Sequence, residues 1–269
     1  MDLMFLDKKP VGEKLPVRSM MFAEGVFETF RWKNSPPVHL DEHLDRMARG
    51  AKVLKIPFPG KGHLADVIKN AIERSKLHDA YVKVCLLSSG SKKFSDIPGE
   101  AQVMVLVRMY EPQREQLTAH VASFRRNSSS PVVRIKSTNY LENVLARREA
   151  KDLGFDEAIF LNERGEVTEG AATNLFWVKE GKLFTPAVEC GLLPGITRGR
   201  LLSLAPRLGL ETVEGMFGLK EVLSSYGAFL TNSLMGVAAL TDVDGVKIPL
   251  NVEIFKKIRH AVFEEMKWV

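Results

Sequence analysis

Strand-length apolar runs alternate with amphipathic helical segments along the first part of this chain, and this alternation restricts the fold more than any other feature of the sequence. Runs rich in β-branched and aromatic residues predict strands, whereas apolar residues spaced three and four apart predict helices. We predict strands at 25–32, 81–88 and 101–109 and helices at 41–54 and 63–74. The pattern favours a mixed α/β (α+β) fold that begins with a small N-terminal α/β domain at residues 1–109.

The rest of the chain shows the same mixture over a longer span. Residues 110–116, with Pro112 and several charges, predict a linker, and residues 117–269 predict a larger C-terminal α/β domain. Its predicted elements are strands at 119–124, 157–161, 174–178 and 228–231, helices at 141–153 and 198–205, a turn at 243–245 and a C-terminal helix. The stripe of that last helix expected to pack in the core is Ile254, Ile258, Ala261 and Met266. Residues 88–100 predict a hairpin loop over the functional site.

The composition is that of an ordinary water-soluble domain, with 45% hydrophobic and 26% charged residues in a chain of 269. The net charge of +5 is small, and the basic residues are scattered among acidic ones. Nucleic-acid binding is therefore disfavoured, since it requires a concentrated basic surface. The densest polar patch, Arg125-Arg126-Asn127-Ser128-Ser129-Ser130, predicts a mobile, solvated loop.

The cysteines and histidines do not form a recognisable metal or disulfide pattern. Cys85 and Cys190 lie far apart and lack C-x-x-C spacing, and the six histidines lack H-E-x-x-H spacing. No apolar run approaches the roughly 18 to 20 residues of a membrane span. The segment 1–9 has no cationic region ahead of a long apolar one, so we expect no signal peptide, no membrane partner and a cytoplasmic location.

A lysine followed four residues later by a tyrosine lies where a β-rich run ends and a helical segment begins. The sequence there is Ile135-Lys136-Ser137-Thr138-Asn139-Tyr140, and Leu141, Val144 and Leu145 follow on one helical stripe. A connection between a strand and a helix can hold the Lys136 amine rigidly, as covalent catalysis requires. Most lysines are solvated surface charges, so this motif alone does not identify a catalytic group.

Two later segments change the interpretation of that lysine. Residues 167–176 include Glu169, and residues 191–198 include a Pro194-Gly195-Ile196-Thr197 turn that enters a helix, whose unpaired N-H groups favour an anion. In order and spacing, the three motifs resemble the class IV aminotransferase family, which are pyridoxal-phosphate enzymes of fold type IV. That family includes D-amino acid aminotransferases, branched-chain aminotransferases and aminodeoxychorismate lyases. The resemblance extends from about residue 22 to about residue 243.

The resemblance implies that this chain binds pyridoxal 5'-phosphate. It implies that Lys136 forms the Schiff base and moves the substrate Cα proton, that Glu169 faces the pyridine nitrogen, and that Tyr140 bonds the phenolic oxygen. The phosphate ligands that it implies are Arg46, in a segment similar to the family's H-x-x-R helix, with Leu193, Ile196, Thr197 and Ser233. The cofactor needs three partners: an amine for its aldehyde, an anion at its ring nitrogen and a site for its dianionic phosphate.

Each of these residues also has an ordinary structural explanation. A surface turn before Gly170 would account for Glu169, and a helix cap would account for Thr197. A solvated position on an amphipathic helix would account for Arg46, and core packing would account for Tyr140. A cofactor-free scaffold would, however, leave the shared order of all these motifs unexplained.

For the substrate, the resemblance implies contacts with Phe27, Tyr81, Lys83, Ser233 and the Leu234 backbone N-H. Lys83 stands where branched-chain enzymes tend to have an arginine, and lysine is a poor substitute for a planar bidentate group. We predict an aminotransferase of the branched-chain type that acts on an amino acid and a 2-oxo acid. The alternative is an aminodeoxychorismate lyase that releases pyruvate and 4-aminobenzoate, because both reactions use the same cofactor-binding residues. A homodimer, with the pocket between two domains, is also implied.

Overall fold

The structure is a computed structural model that describes residues 5–6, 9–10 and 15–268, and it confirms a mixed α/β fold. The strands are β1 (Phe5–Leu6), β2 (Lys9–Pro10), β3 (Gly25–Lys33), β4 (Asp79–Ser89), β5 (Glu100–Met109), β6 (Gln116–Val121), β7 (Glu157–Leu161), β8 (Val167–Gly170), β9 (Asn174–Lys179), β10 (Lys182–Pro186), β11 (Glu211–Gly215), β12 (Gly227–Asn232), β13 (Gly236–Val243) and β14 (Val246–Lys247). The helices are α1 (Val17–Phe22), α2 (Leu40–Val53), α3 (Lys61–Ser75), α4 (Leu141–Asp152), α5 (Ile196–Leu204), α6 (Leu219–Leu223) and α7 (Val252–Glu265).

The first part of the chain forms a three-stranded antiparallel sheet in the order β3-β4-β5. The amphipathic helices α2 and α3 lie against it, because each has one apolar stripe to bury. Leu44 of α2 and Ile68 of α3 pack with Phe30 of β3 in one buried cluster. The helices and strands predicted for this region are confirmed, with ends that differ by one or two residues.

The second part forms a nine-stranded sheet in the order β11-β10-β9-β12-β13-β6-β7-β8, with β14 paired to β13. Most neighbours are antiparallel, but β10 runs parallel to β11, and β6 runs parallel to both β13 and β7. Helices α5 and α7 pack on the sheet through Leu201 and Ile258, in a cluster that includes Phe229 of β12. This sheet therefore has a core of its own, separate from that of the three-stranded sheet.

The two sheets are joined by residues 110–115, since β5 ends at Met109 and β6 begins at Gln116. The division into two domains with a linker at 110–116 stays a prediction. Among the residues that the structure describes, no helix has the length and apolar character needed to cross a bilayer. The expectation of no signal peptide concerns residues 1–9, of which 1–4 and 7–8 lie outside the described residues. The cytoplasmic location also stays a prediction.

In two helices, the residues that are buried differ from the apolar stripe that the sequence suggested. In α4, Ala146 and Ala150 are buried, whereas Leu141 and Leu145 are exposed. The small alanines allow α4 to approach β7 closely, and periodicity alone does not show which of two stripes faces inward. In α7, the buried residues are Phe255, Ile258 and Val262. Of the predicted core stripe, Ile258 and Met266 are buried and Ile254 is partly buried against the same cluster, whereas Ala261 is only half-buried.

Three predictions about loops and about the run before Lys136 also require correction. The segment 125–130 is solvated only in part, because Arg125, Asn127 and Ser129 are exposed but Arg126 and Ser128 are buried. The run before Lys136 is not a strand but a 3-10 helix at Pro131–Arg134. The loop between β4 and β5 does not line the cavity of its own chain; its carbonyl groups at Ser91, Lys93 and Asp96 instead accept hydrogen bonds from the buried Arg18.

Candidate active site

A cavity of about 430 Å³ lies where the three-stranded sheet meets the nine-stranded sheet. Every residue that was given a cofactor or substrate role from the sequence lines this cavity: Phe27, Arg46, Tyr81, Lys83, Lys136, Tyr140, Glu169, Leu193, Ile196, Thr197, Ser233 and Leu234. These residues come from segments up to about 200 positions apart in the chain, and the fold brings them to one concave surface of the size expected for a cofactor site.

Lys136 is held in place by main-chain bonds to strand β3. The N-H of Phe27 donates to the Lys136 carbonyl over 2.8 Å, and the N-H of Thr138 donates to the Gly25 carbonyl over 2.8 Å. A Cβ atom on Gly25 would lie 2.9 Å from Oγ1 of Thr138, so a glycine is required for this close approach. The lysine backbone thus forms a short extension of the three-stranded sheet at the edge of the cavity.

The Lys136 amine has the properties of a nucleophile and a base. Its Nζ atom lies 4.7 Å from the ring centroid of Phe27, on the wall of the cavity. Burial, together with the positive charge of Arg46, lowers the pKa of Lys136 to about 8, although the carboxylates of Glu28 and Glu169 oppose that shift. About a tenth of the amine is therefore uncharged at pH 7, far more than in an ordinary lysine, and the uncharged form is what attacks a carbonyl or accepts a proton.

Glu169 is a buried carboxylate that accepts three hydrogen bonds. Arg126 Nη1 donates to Oε1 over 2.5 Å, while Asn174 Nδ2 and the Leu193 N-H donate to Oε2 over 3.2 and 3.1 Å. Burial raises the pKa of Glu169 to about 7, and the charge of Arg126 and the N-H of Leu193 oppose that rise. Since all three partners are donors, they favour the anion over the acid. Of roughly four acceptor positions on a carboxylate, one is left for a further N-H group.

Asn174 joins the Glu169 site to the turn before helix α5. Its amide nitrogen donates to Glu169 and also to the Leu193 carbonyl over 2.9 Å. A Cβ atom on Gly195 would lie only 2.0 Å from the Asn174 Oδ1 atom. A glycine at position 195 is therefore what allows the turn to approach the asparagine.

Helix α5 begins at the cavity and presents its N-terminus there. Gly195 caps the helix, and the N-H groups of Ile196 and Thr197 have no acceptor within the helix. The Thr197 and Ser233 hydroxyl oxygens lie 3.3 Å apart, which places two hydroxyls beside the same N-terminus. Unpaired N-H groups, hydroxyls and the helix dipole together form a site for an anion. Leu193 differs from these residues because its N-H already donates to Glu169.

Tyr140 stands beside the lysine at the start of helix α4. Its ring meets that of Phe27 edge-on, with 5.3 Å between centroids, and its hydroxyl donates to the Ala171 carbonyl over 2.9 Å. Burial, reinforced by the negative charge of Glu169, raises the pKa of Tyr140. The hydroxyl therefore stays protonated, with its single O-H engaged by the Ala171 carbonyl.

The expected substrate contacts are brought together, but one of them is already engaged. The Lys83 Nζ atom lies 4.2 Å from the ring centroid of Phe27, within the range of a cation-π contact. The Leu234 N-H, expected to be free for a substrate carboxylate, donates to Oδ1 of Asn232 over 3.0 Å. The Leu234 carbonyl accepts a hydrogen bond from the Tyr110 hydroxyl over 2.7 Å.

Sequence reasoning missed several residues of this site. Arg126 was assigned to a solvated loop, and nothing in that polar run indicates a buried partner for it. Asn174 lies within the motif at 167–176 and was given no role, although a buried asparagine after a turn is a frequent hydrogen-bonding residue. Glu28 lies within the predicted strand 25–32 and was given no role, yet an acid among apolar strand residues is a signal of a buried charge pair.

These observations fit pyridoxal phosphate. The cavity has an amine of lowered pKa, a carboxylate with an acceptor position left, and an anion site built from a helix N-terminus with hydroxyls. The cofactor has an aldehyde, a ring nitrogen and a phosphate, and each of these groups has a suitable partner here.

The comparisons with known proteins agree with this chemistry. A model of the amino-transferase class IV family matches residues 25–243. The aminodeoxychorismate lyase of Bacillus subtilis is 32% identical over 84% of this chain and 80% of its own length. A putative branched-chain-amino-acid aminotransferase of Methanocaldococcus jannaschii is 31% identical over 98% of this chain and 95% of its own. The crystal structure of a putative 4-amino-4-deoxychorismate lyase from Legionella pneumophila has a TM-score of 0.89, with 29% identity, and covers 97% of this chain and 98% of that one.

Proposed function

This chain belongs to the amino-transferase class IV family of enzymes, and on that premise we propose that it is a pyridoxal-phosphate-dependent aminotransferase. It exchanges an amino group between an amino acid and a 2-oxo acid. The observation that carries the proposal is that Lys136, Glu169 and the α5 N-terminus face one cavity. The amine and the anion site would hold the two ends of the cofactor, and Glu169 would meet the ring between them.

The residues that hold the cofactor are assigned by the chemistry of their free groups. Lys136 would attach it covalently, and Glu169 would accept a hydrogen bond from the pyridine nitrogen. Tyr140 would donate to the phenolic oxygen by exchanging its bond to the Ala171 carbonyl for that contact. The phosphate is bound by the N-H groups of Ile196 and Thr197, and the set is completed by Ser233 and Arg46. When bound, pyridoxal phosphate supplies an acceptor for the electron pair left on the substrate Cα after its proton departs.

Lys136 then carries the proton. With the cofactor bound, the free ε-amine of Lys136 would accept the substrate Cα proton, hold it as an ammonium group, and in transamination give it up again. The pKa of about 8 suits both directions, because a proton carrier works best when its pKa lies close to the working pH. Phe27 and Tyr140 flank the amine and limit its contact with water.

Glu169 and Arg126 form the pair that keeps the ring nitrogen protonated. An anion at that position makes the ring a better electron acceptor, and its effect is large because the site is buried. Leu193 contributes through its N-H to Glu169 and not through the phosphate. This arrangement supports a cofactor-binding role for Leu193 of a different kind from its neighbours.

For the substrate, we assign Phe27, Tyr81, Lys83 and Ser233 to the pocket wall. The ammonium group of Lys83 and the hydroxyl of Ser233 can bind a carboxylate. The Leu234 N-H would need to exchange its bond to Asn232 in order to contribute. The substrate is therefore an amino acid or 2-oxo acid, whose carboxylate Lys83 or Ser233 can bind.

Aminodeoxychorismate lyase is the second candidate function. It is supported by the names of the Bacillus and Legionella proteins to which this chain is similar. A lyase also begins by removing the Cα proton, so Lys136 and Glu169 would serve it unchanged. The two functions differ in the step after removal of the Cα proton: an aminotransferase releases an oxo acid, whereas a lyase expels a group from the substrate side chain.

A homodimer is also proposed. The apolar side chains of Leu141 and Leu145 on α4 and of Met104 and Leu106 on β5 are exposed. Exposed apolar surface of this kind is typical of faces that another chain covers. Sedimentation of the purified protein should give the mass of two chains, and a monomer at micromolar concentration would contradict the proposal.

Absorbance and a substrate screen test the proposed function. Purified protein mixed with pyridoxal phosphate should develop a visible band that Lys136→Ala abolishes. The loaded enzyme is then incubated with each amino acid and a 2-oxo acid, and separately with aminodeoxychorismate. New oxo acid identifies an aminotransferase, and pyruvate from aminodeoxychorismate identifies a lyase. A protein that neither takes up the cofactor nor shows either reaction would refute the proposal.

A further inference from the structure

Glu28 is an acid in the middle of strand β3, and its side chain is completely buried. Its neighbours on the strand, Phe27 and Phe30, belong to the apolar interior. A buried carboxylate costs folding free energy unless it is paired and hydrogen-bonded. The cofactor assignments above give Glu28 no role, although it lies next to Phe27 of the cavity wall.

Two side chains of helix α2 surround this carboxylate. Arg46 donates through Nε to Oε1 over 2.8 Å and through Nη2 to Oε2 over 2.7 Å. His43 contacts Oε2 through Nδ1 over 2.6 Å. Burial alone would raise the pKa of Glu28, but the charge of Arg46 and the contact with His43 bring it down to about 2. The carboxylate is therefore ionised and binds the guanidinium with two parallel bonds.

The guanidinium of Arg46 also reaches the turn before helix α5. Its Nη1 atom donates to the Pro194 carbonyl over 3.1 Å. Three of the five N-H groups of the arginine are therefore engaged, which leaves two. Arg46, Ile196 and Thr197 line the same cavity, so those two groups remain for an anion bound there. The bonds to Glu28 and to the Pro194 carbonyl therefore fix the plane of the guanidinium in the absence of a bound anion.

His43 supplies the remaining support. Burial, together with the positive charges of Arg46 and Lys136, lowers the pKa of His43, although Glu28 opposes the shift. The ring lies 5.3 Å from that of Phe30, centroid to centroid. A neutral His43 donates to Glu28 without adding a charge that would compete with Arg46.

We propose that Glu28 is a positioning residue, which with His43 holds the Arg46 guanidinium in the orientation that binds the phosphate of the cofactor. This inference rests on the proposed function, because it takes Arg46 as a phosphate ligand. A carboxylate beside an anion site would weaken phosphate binding through its charge alone. The benefit of orienting Arg46 therefore outweighs the repulsion between the Glu28 carboxylate and the phosphate. An arginine with a fixed orientation loses less entropy when it binds an anion.

The experiment isolates the phosphate contribution by comparing two ligands. Cofactor-free protein is titrated with pyridoxal phosphate and with pyridoxal, which lacks the phosphate, and binding is followed by absorbance. The variants are Glu28→Gln, which conserves volume, and Glu28→Asp, which conserves charge but withdraws the carboxylate by one methylene. Asp242→Asn is the control, because Asp242 is a buried acid that contacts Lys247 and the Gly245 N-H, away from the cavity.

We expect the preference for pyridoxal phosphate over pyridoxal to fall about tenfold or more in both Glu28 variants, with little change in pyridoxal binding. Asp242→Asn should retain the wild-type preference. Since Glu28→Asp keeps the negative charge, a loss in that variant reports position. If Glu28→Gln fails to fold, Glu28→Asp in an Arg46→Lys background should show a much smaller loss than Glu28→Asp alone.

Other outcomes overturn the inference. An unchanged preference in Glu28→Asp, or a raised preference in Glu28→Gln, would mean that Glu28 acts through its charge. An equal loss of both ligands would mean that Glu28 only stabilises the fold. A wild-type protein that binds neither ligand would instead refute the proposed function, so the two failures are distinguishable.

Discussion

The guanidinium of Arg126 meets the carboxylate of Glu169 at 2.5 Å between Nη1 and Oε1, and both side chains are less than a tenth exposed. The two residues lie 43 positions apart in the chain. The ring of Phe160 covers the arginine, with 3.8 Å from its guanidinium carbon to the ring centroid. The pair therefore places a negative charge in a dry part of the cavity, where an electrostatic contact has its largest effect.

Glu169→Gln should leave the cofactor bound but slow removal of the substrate Cα proton by about 100-fold or more, because the ring nitrogen loses its anionic partner. Exchange of the Cα hydrogen with deuterated water, followed by NMR, measures that step directly. Glu180→Gln, an exposed acid, is the control. Near-normal exchange in Glu169→Gln would remove Glu169 from the role.

Arg126→Met should destabilise the protein by about 3 kcal/mol, since it leaves a buried carboxylate without its charged partner. It should also change the pH profile. Removing the nearby positive charge raises the pKa of Glu169 above its value of about 7, so the rise of activity with pH moves to higher pH. Arg126→Lys should restore part of the shift. A profile that stays in place in Arg126→Met would show that the arginine does not control the ionisation of Glu169.

Lys136→Met should stabilise the cofactor-free protein near pH 7 by on the order of 1 to 3 kcal/mol. The pKa of Lys136 is lowered to about 8 from an ordinary 10.5. Between those pH values the unfolded chain binds the proton and the folded one does not, so wild-type stability rises as pH increases. The advantage of the variant should therefore shrink from pH 8 to pH 10.5. Urea unfolding across this range measures it, and an advantage that stays constant would contradict the lowered pKa.

Gly195→Ala should weaken cofactor binding and lower stability by about 1 to 3 kcal/mol, because the new methyl group would displace Asn174 and with it the support of Glu169. The matched control is Gly199→Ala, on the same helix, where a methyl group meets nothing within 4 Å. An alanine within a helix is favoured by about 0.5 to 1 kcal/mol over glycine, so this control should gain stability. If both variants behave alike, the contact between Gly195 and Asn174 is not needed.

Much of the fold follows from local sequence patterns. The strand at 157–161 and the helix after Tyr140 were predicted close to their observed ends, because residue spacing and breakers such as glycine and proline act over a few positions. The inward face of α4 was not predictable in this way. Its leucines are exposed and its alanines are buried, since the space available beside β7 decides which stripe fits.

The residues of the candidate site also fall into two groups, those that the sequence predicted and those that it did not. Lys136, Glu169 and the turn before α5 lie in short sequence motifs that could be identified from the sequence, and all of them line one cavity. The residues that support them lie outside any motif that indicates their role. Arg126 lies in a polar run and Glu28 in a strand, and neither run shows that its charge is buried and paired.

The sequence by itself determined the order of strands and helices, the reactive lysine and the family to which the chain is similar, because those depend on neighbouring residues. The tertiary structure alone decided that Arg126 reaches Glu169, that Arg46 lies between Glu28 and the Pro194 carbonyl, and that Asn232 occupies the N-H of Leu234. The physical reason is that hydrogen bonds and ion pairs between distant segments depend on how the two sheets pack, and residue spacing carries no information about that packing.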